Sequence, residues 1–255
     1  MSESSNCAIE FRNVEYRVAP EKVLLSGVDL EVGRGETLVL LGRSGSGKTT
    51  CLKLINRLLM PSSGEVRVDG RSSQEWDPIQ LRRRIGYAIQ DVGLFPHYTV
   101  WQNVALVPRL EKWAPPKIAH RVEAILQLVG LPAQEFAARY PSQLSGGQRQ
   151  RVGLARALAA EPPILLMDEP FGALDPLTRA EMQAEFRRLQ QNLGKTIVFV
   201  THDVGEALML GDRIALMEAG RLRSIHTADE FLESSDPLAR DYVGVYRAGQ
   251  QIFHH

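Results

Sequence analysis

The chain has 255 residues, 44% of them hydrophobic and 24% charged, with thirty basic side chains balancing thirty acidic ones. Those values suit a globular protein with a sizeable core and exclude a disordered or fibrous chain, while zero net charge leaves no global field to hold a polyanion, so a non-specific nucleic-acid binder is excluded too. Cys7 and Cys51 belong to no metal-ligand spacing and suit a reducing compartment, and neither a leader nor a run of about 18 apolar residues is present, so the chain is expected in the cytosol.

Residues 9–41 read as strands, because apolar and polar residues alternate (Ile9, Phe11, then Val28, Leu30, Val32) around Pro20, Gly27 and Gly33. Thr37 to Leu41 is a short apolar run ending at a glycine, the pattern of a parallel strand buried on both faces. Directly after it, Gly42-Arg43-Ser44-Gly45-Ser46-Gly47-Lys48-Thr49 fits the phosphate-loop pattern between that strand and a helix beginning near Thr49. The glycines let successive N–H groups point inward, and the following helix adds its positive end, so the loop binds phosphate oxygens through its backbone. Lys48 would bridge the β- and γ-phosphates, and Thr49 would offer its hydroxyl to Mg²⁺. Arg82-Arg83-Arg84, beside Leu81 and Ile85, reads as the solvated end of a helix.

From about residue 91 to 160 the strand signals vanish and helical spacing takes over, as in Ile118, Val122, Ile125, Leu126 and Val129, with Pro108, Pro115, Pro116, Pro132 and Pro141 dividing the segment into short helices. Within it, Asp91 to Val100 places apolar side chains on a loop, which suits either an interface or packing inside the chain. Leu144-Ser145-Gly146-Gly147-Gln148 then opens a helix whose amino end is a second anion-binding candidate; taken alone it would be an ordinary cap. Ile164 to Met167 is another buried strand, with Asp168 placed to hold Mg²⁺ and Glu169 to polarise the attacking water. Thr196 to Val200 is a third, with His202 at its end to contact the γ-phosphate and orient that water. After Gly220 come a hairpin-like stretch, a final helix over 228–243 and a polar tail, whose His254-His255 has the composition of a purification-tag remnant.

With these motifs in this order (the phosphate loop, Gln90, Ser145 to Gln148, Ile164 to Glu169, Gly172-Ala173-Leu174-Asp175 and His202) the chain resembles the ATP-binding-cassette (ABC) ATPases over essentially its whole length. The resemblance implies an α/β fold: a phosphate-loop NTPase core with a mixed sheet, an N-terminal antiparallel β subdomain, and an inserted α-helical subdomain. It implies one domain over 1–255, with core at about 1–90 and 161–240, signature subdomain at 91–160 and tail at 241–255. ATP and Mg²⁺ are the implied ligands. Gly42 to Thr50, Gln90, Ser145 to Gln148 and Asp168 would contact nucleotide; Thr49, Gln90 and Asp168 would serve the metal; Glu169, His202 and Lys48 would carry hydrolysis.

The same resemblance implies a homodimer in which Ser145 and Gly147 of one copy bind the γ-phosphate held by the other, with Asp175 supporting the partner's site. Membrane permease subunits would dock on the loop after Gln90, a solute-binding protein would act indirectly, and the chain would sit on the cytoplasmic face of the inner membrane. Residues 85–90, 93–97 and 103–108 look more specifically like importer ATPases for glycine betaine, choline and related quaternary amines. Another importer class and a soluble, non-transport ABC ATPase are the alternatives, and self-regulation through modules after the cassette is not expected. The family stacks an aromatic side chain on adenine where this register places Val18; Tyr16, two residues earlier on the same face, either takes its place or is a core aromatic.

Overall fold

A computed structural model describes residues 6–89, 92–172 and 174–252. The chain divides into two compact units, Met1–Asp77 with Thr196–His255, and Pro78–Lys195.

The first unit opens with two long strands, β1 (Cys7–Ala19) and β2 (Lys22–Gly33), followed by β3 (Thr37–Leu41), the helix α1 (Lys48–Ile55), and the strands β4 (Ser63–Val68) and β5 (Arg71–Ser72). Strands β1, β2, β4 and β5 form an antiparallel sheet in the order β2-β1-β4-β5, with Phe11 opposite both Leu30 and Val66. Alternation buries Ile9, Phe11, Val28, Leu30, Val66 and Val68 while Arg12 and Glu31 stay in water, as expected of a sheet with one solvated face. Register shifts between Val14 and Tyr16, and again between Tyr16 and Arg17, break that alternation. Tyr16 is consequently only partly buried, so the reading of it as a core aromatic is not borne out; Val18 is 57% exposed.

In the second unit lie α2 (Pro78–Arg83), β6 (Ile85–Ala88), α3 (Val100–Val104), α4 (Leu106–Leu110), α5 (Pro115–Leu128), α6 (Ala133–Phe136), α7 (Gly146–Leu158), β7 (Ile164–Asp168) and α8 (Pro176–Leu193). Strands β6 and β7 run parallel with Tyr87 opposite Leu166. Helix α5 buries the predicted stripe Ile118, Val122, Ile125 and Leu126 and packs against α6 and α7. Gly86 lets α7 approach β6 closely, because a Cβ there would stand 2.4 Å from the Ala157 carbonyl oxygen. The arginine run ends α2 as expected, with Arg82 and Arg84 exposed and Arg83 paired to Glu111 at 3.1 Å.

The chain then re-enters the first unit through β8 (Thr196–Thr201), α9 (Val204–Leu210), β9 (Arg213–Glu218), β10 (Arg221–His226), α10 (Ala228–Leu232) and α11 (Pro237–Ile252). Strand β3 lies between β8 and β9, parallel to both, and β10 closes the edge antiparallel to β9. Thr37–Leu41 and Thr196–Thr201 are buried at every position, which explains their unbroken apolar runs.

Three expectations about the C-terminal segment are corrected. The hairpin does not follow Gly220 but turns on it, with Ala219 and Gly220 both at positive φ. The single helix over 228–243 is two helices, because Asp236 caps a new start by accepting from Leu238 N at 2.8 Å and Pro237 cannot continue a helix from the preceding turn. Helix α11 then runs to Ile252, where a polar tail was expected.

Candidate functional site

The first unit carries the phosphate loop and His202; the second carries Asp168, Glu169 and Ser145–Gln148. Gln90, with its neighbour Asp91, and Ala173 lie outside the described residues, as do His254 and His255.

The loop is built by steric necessity. A Cβ on Gly42 would fall 2.4 Å from the Met217 carbonyl oxygen and 2.6 Å from Ser46 Oγ, so only glycine lets β3 turn out of the sheet here. Gly47 caps α1 at φ 102°, a conformation that L side chains rarely adopt. Between them the chain curls tightly, with Ser46 N donating to the Arg43 carbonyl at 3.2 Å. Lys48 is buried, and its ammonium donates to the carbonyls of Gly42 at 2.7 Å and Arg43 at 3.0 Å, which places a positive charge inside the curl. Ser46 Oγ is buried without a hydrogen-bond partner. Thr49 and Thr50 stand half-exposed on the first turn of α1. The tip of the β9–β10 hairpin braces the loop, since Gly220 N donates to the Ser46 carbonyl at 3.1 Å and its own carbonyl accepts from Ser26 N at 2.9 Å. A cavity of about 250 Å³ adjoins the loop, lined by Arg43, Ser44, Gly45 and Ser46 with Met217 and Tyr242.

His202 follows β8 on a turn fixed by buried groups. Thr201 Oγ1 donates to the buried carboxylate of Glu206 at 2.5 Å and accepts from Asp203 N at 3.0 Å, and Asp203 Oδ1 caps α9 by accepting from Glu206 N at 3.0 Å. These bonds leave the His202 imidazole exposed, where it lines a cavity of about 350 Å³ with Arg43 and Tyr242. Within this unit the structure therefore brings His202 and the Arg43 end of the phosphate loop to one cavity wall.

In the second unit, Asp168 ends β7 with only 6% of its surface exposed. Tyr87 on β6 donates its hydroxyl to Asp168 Oδ2 at 3.3 Å. Burial first, and then the adjacent carboxylate, push the Tyr87 hydroxyl well above the ordinary phenol range, so it stays a proton donor. Glu169 sits half-buried at φ 45°, a left-handed conformation uncommon outside glycine, in a turn closed by Gly172 N donating to its carbonyl at 3.1 Å. Both carboxylates thus come off the end of one strand, Asp168 within it and Glu169 on the turn.

The signature turn is a helix N-terminus with its polar groups arranged. Ser145 Oγ accepts from Gln148 N at 3.2 Å while Gln148 Oε1 accepts from Ser145 N at 2.9 Å, a reciprocal capping box. Ser145 and Gly146 are exposed, and nothing lies within 4 Å of a Cβ placed on Gly146, whereas one on Gly147 would strike Thr178 Cγ2 at 2.6 Å. Asp175 caps α8 beside Thr178, whose hydroxyl and N–H hold its carboxyl below the usual range. Buried Gln150 donates from α7 to the Pro170 carbonyl, tying the signature helix to the turn that carries Glu169.

Sequence reading alone missed four of these positioning residues. Tyr87, Gln150, Arg156 and Asn103 are single polar or aromatic residues whose partners are fixed only by tertiary packing. The Arg156 guanidinium, its pKa lowered by burial, donates to the Val92 and Gly93 carbonyls at 2.6 and 2.7 Å. Asn103 is fully buried and bonds Phe95 N at 2.8 Å and the carbonyls of Phe95, Tyr98 and Thr99 at 3.0–3.2 Å. The loop it shapes turns Phe95 and Tyr98 outward, 48% and 40% exposed, with ring centroids 5.4 Å apart. No helix among the described residues is long and apolar enough to cross a membrane.

A sequence model for the ABC transporter family matches residues 25–172. The chain is 51% identical over 227 residues to the glycine betaine/carnitine/choline transport ATP-binding protein OpuCA of Bacillus subtilis, covering 89% of this chain and 60% of that protein. It is 48% identical over 233 residues to the osmoprotectant import ATP-binding protein OsmV of Salmonella typhimurium, covering 91% and 60%. The chain thus spans about three fifths of the length of these curated relatives. Among solved structures, the dimeric post-hydrolysis state of the ATP-binding cassette MJ0796 bound to ADP and Pi is similar, with TM-score 0.77 and 35% identity over 86% of this chain and 98% of that one.

Proposed function

The chain belongs to the ABC transporter family, and from that premise we propose that it binds and hydrolyses ATP as the nucleotide-binding subunit of an importer of quaternary-amine osmoprotectants. The observation that carries the nucleotide-binding part of the proposal is the buried Lys48 ammonium held inside the glycine curl, a positive centre ringed by backbone built for phosphate. The residues fit the ligand. Glycine at 42 lets the loop leave β3 past the Met217 carbonyl, and Ser46 Oγ is a buried polar atom still lacking a partner. The donor set proposed for Mg²⁺, the Thr49 hydroxyl and the Asp168 carboxylate, is hard oxygen, which that ion prefers.

In this reading Lys48 and the loop N–H groups hold the β- and γ-phosphates, and Mg²⁺ would neutralise charge developing on them. Glu169 takes the proton of the attacking water, and exposed His202 orients that water against the γ-phosphate. Ser145 and Gly147 supply a helix N-terminus to the nucleotide of a second copy; the exposure of Ser145 and Gly146, together with the dimeric state of the similar cassette, supports this. Gln90 keeps its proposed metal-sensing role on the sequence motif alone. Phe95 and Tyr98, apolar rings turned outward on a loop locked by Asn103, form the surface proposed to receive a membrane permease. Quaternary-amine cargo, the solute-binding protein, and residence at the cytoplasmic face of the membrane follow the character of the relatives.

Substituting Glu169→Gln tests the chemistry. Turnover is expected to fall by about 10²–10⁴-fold while ATP still binds, and the ATP-loaded variant accumulates as a dimer in light scattering; unchanged turnover refutes the assignment. For the transport role, affinity isolation from native membranes is expected to bring down an integral membrane subunit. Recovery only as a soluble dimer, in every condition of osmotic stress, would sink the importer reading.

A further inference from the structure

We infer that Tyr87 is a positioning residue for metal binding: its hydroxyl clamps one oxygen of the Asp168 carboxylate, so that the other is presented in a fixed orientation to Mg²⁺ or its water. The inference rests on the reading of Asp168 as a metal-serving residue. It goes beyond that reading in assigning a role to a side chain to which the sequence segment 85–90 gave none.

The geometry follows from the strand register. Tyr87 lies directly opposite Leu166 in the parallel β6–β7 pair. Leu166 and Asp168 are two residues apart and so share a face of the sheet, the face on which Tyr87 also stands. A side chain as long as tyrosine, leaning along the strand, spans the two-residue offset and delivers its hydroxyl to the strand end. A valine or leucine at 87 would pack on Leu166 and reach no further. An ionised carboxylate only accepts hydrogen bonds, so the phenol must be the donor, and the 3.3 Å contact to Oδ2 engages that oxygen.

Burial makes the clamp consequential. With Asp168 94% buried, bulk water does little to average its orientation, and the protein groups around it decide which way the carboxylate plane faces. Partners of a metal-binding group that do not touch the metal set the orientation and basicity of the ligand, and losing one typically costs 10–100-fold in metal affinity. Tyr87 stands in that relation to Asp168. Phenylalanine at the same place would keep the ring and its packing while deleting only the donor.

The test uses the full chain in a Glu169→Gln background, so that ATP persists while metal is titrated. Mn²⁺ binding is followed by electron paramagnetic resonance in the presence of ATP, and Mg²⁺ is titrated against a fluorescent ATP analogue. Tyr87→Phe is expected to raise the metal concentration at half-saturation by about tenfold, with nucleotide affinity in EDTA unchanged. A ring that merely packs would leave the metal titration where it was. If Tyr87→Phe titrates as the parent while Asp168→Asn is strongly weakened, the inference is overturned and the reading of Asp168 stands. If Asp168→Asn leaves the titration unmoved as well, that reading fails and takes the inference with it.

Discussion

At the scale of the residue, two glycines in the proposed nucleotide-binding motifs are fixed for different physical reasons, and substitution separates them. Gly42 is steric: a methyl group there meets the Met217 carbonyl oxygen at 2.4 Å, and a backbone atom inside a sheet cannot step aside as a side chain can. Gly42→Ala is therefore expected to destabilise the chain by about 1–3 kcal/mol, measured by urea unfolding without nucleotide, and to lose ATP binding together with that stability. Gly146 has open space around its Cβ position, and it stands at the exposed first turn of α7. Gly146→Ala is expected to leave the urea midpoint unchanged yet impair turnover, because the proposed contact lies on a second copy. A destabilised Gly146→Ala protein would move that glycine into the steric class and remove its support for the dimer reading.

At the scale of the element, the loop between β6 and α3 shows what one sequence conceals. The apolar character of Leu94, Phe95 and Tyr98 was readable, and so was the helical run after it, because patterning is local. The agent that shapes the loop was not, since Asn103 on α3 looks like any polar residue at the end of a short helix. Only the folded chain reveals that its amide replaces water for Phe95 N and for three carbonyls. Asn103→Ala removes these bonds at a site with no solvent access and is expected to cost about 2–4 kcal/mol, seen in chemical denaturation and in faster hydrogen exchange at residues 95–99. Unchanged exchange there would show that the loop holds its shape by other means. The same limit explains the C-terminal segment: helical spacing across 228–243 was genuine on both sides, but Asp236-Pro237, a cap followed by a proline, carries the break and was overridden by the periodicity. The core reading of Tyr16 failed for a related reason, because a simple alternation has no knowledge of the register shifts that turn it partly outward.

At the scale of the whole molecule, the parts legible from sequence are those in which backbone chemistry demands particular residues in a row: the glycine curl, the buried strands 37–41 and 196–201, and the capped turn at 145–148. The parts that were not legible are side chains that reach across elements. Cys51 belongs between these classes, because its place in the phosphate-loop helix was apparent while its complete burial was not. Desolvation pushes its thiol from 9.0 up to about 12. The sign of the consequence follows from proton counting: between those values the unfolded chain has released the thiol proton and the native chain has kept it, so the native state binds more protons and stability falls as pH rises. Well below pH 9 the two states are equally protonated and the contribution is flat. Other titrating groups cancel when wild type is compared with Cys51→Ala, which carries no thiol at this position. The stability advantage of wild type over Cys51→Ala is therefore expected to shrink by about 1 kcal/mol between pH 8.5 and pH 10, read from urea unfolding curves under reducing conditions. A gap independent of pH would mean that water reaches Cys51 in the native state and that α1 is less tightly seated than the structure indicates. In that event the first turn of α1, carrying Lys48 and Thr49, would also lack the rigid support its proposed role requires.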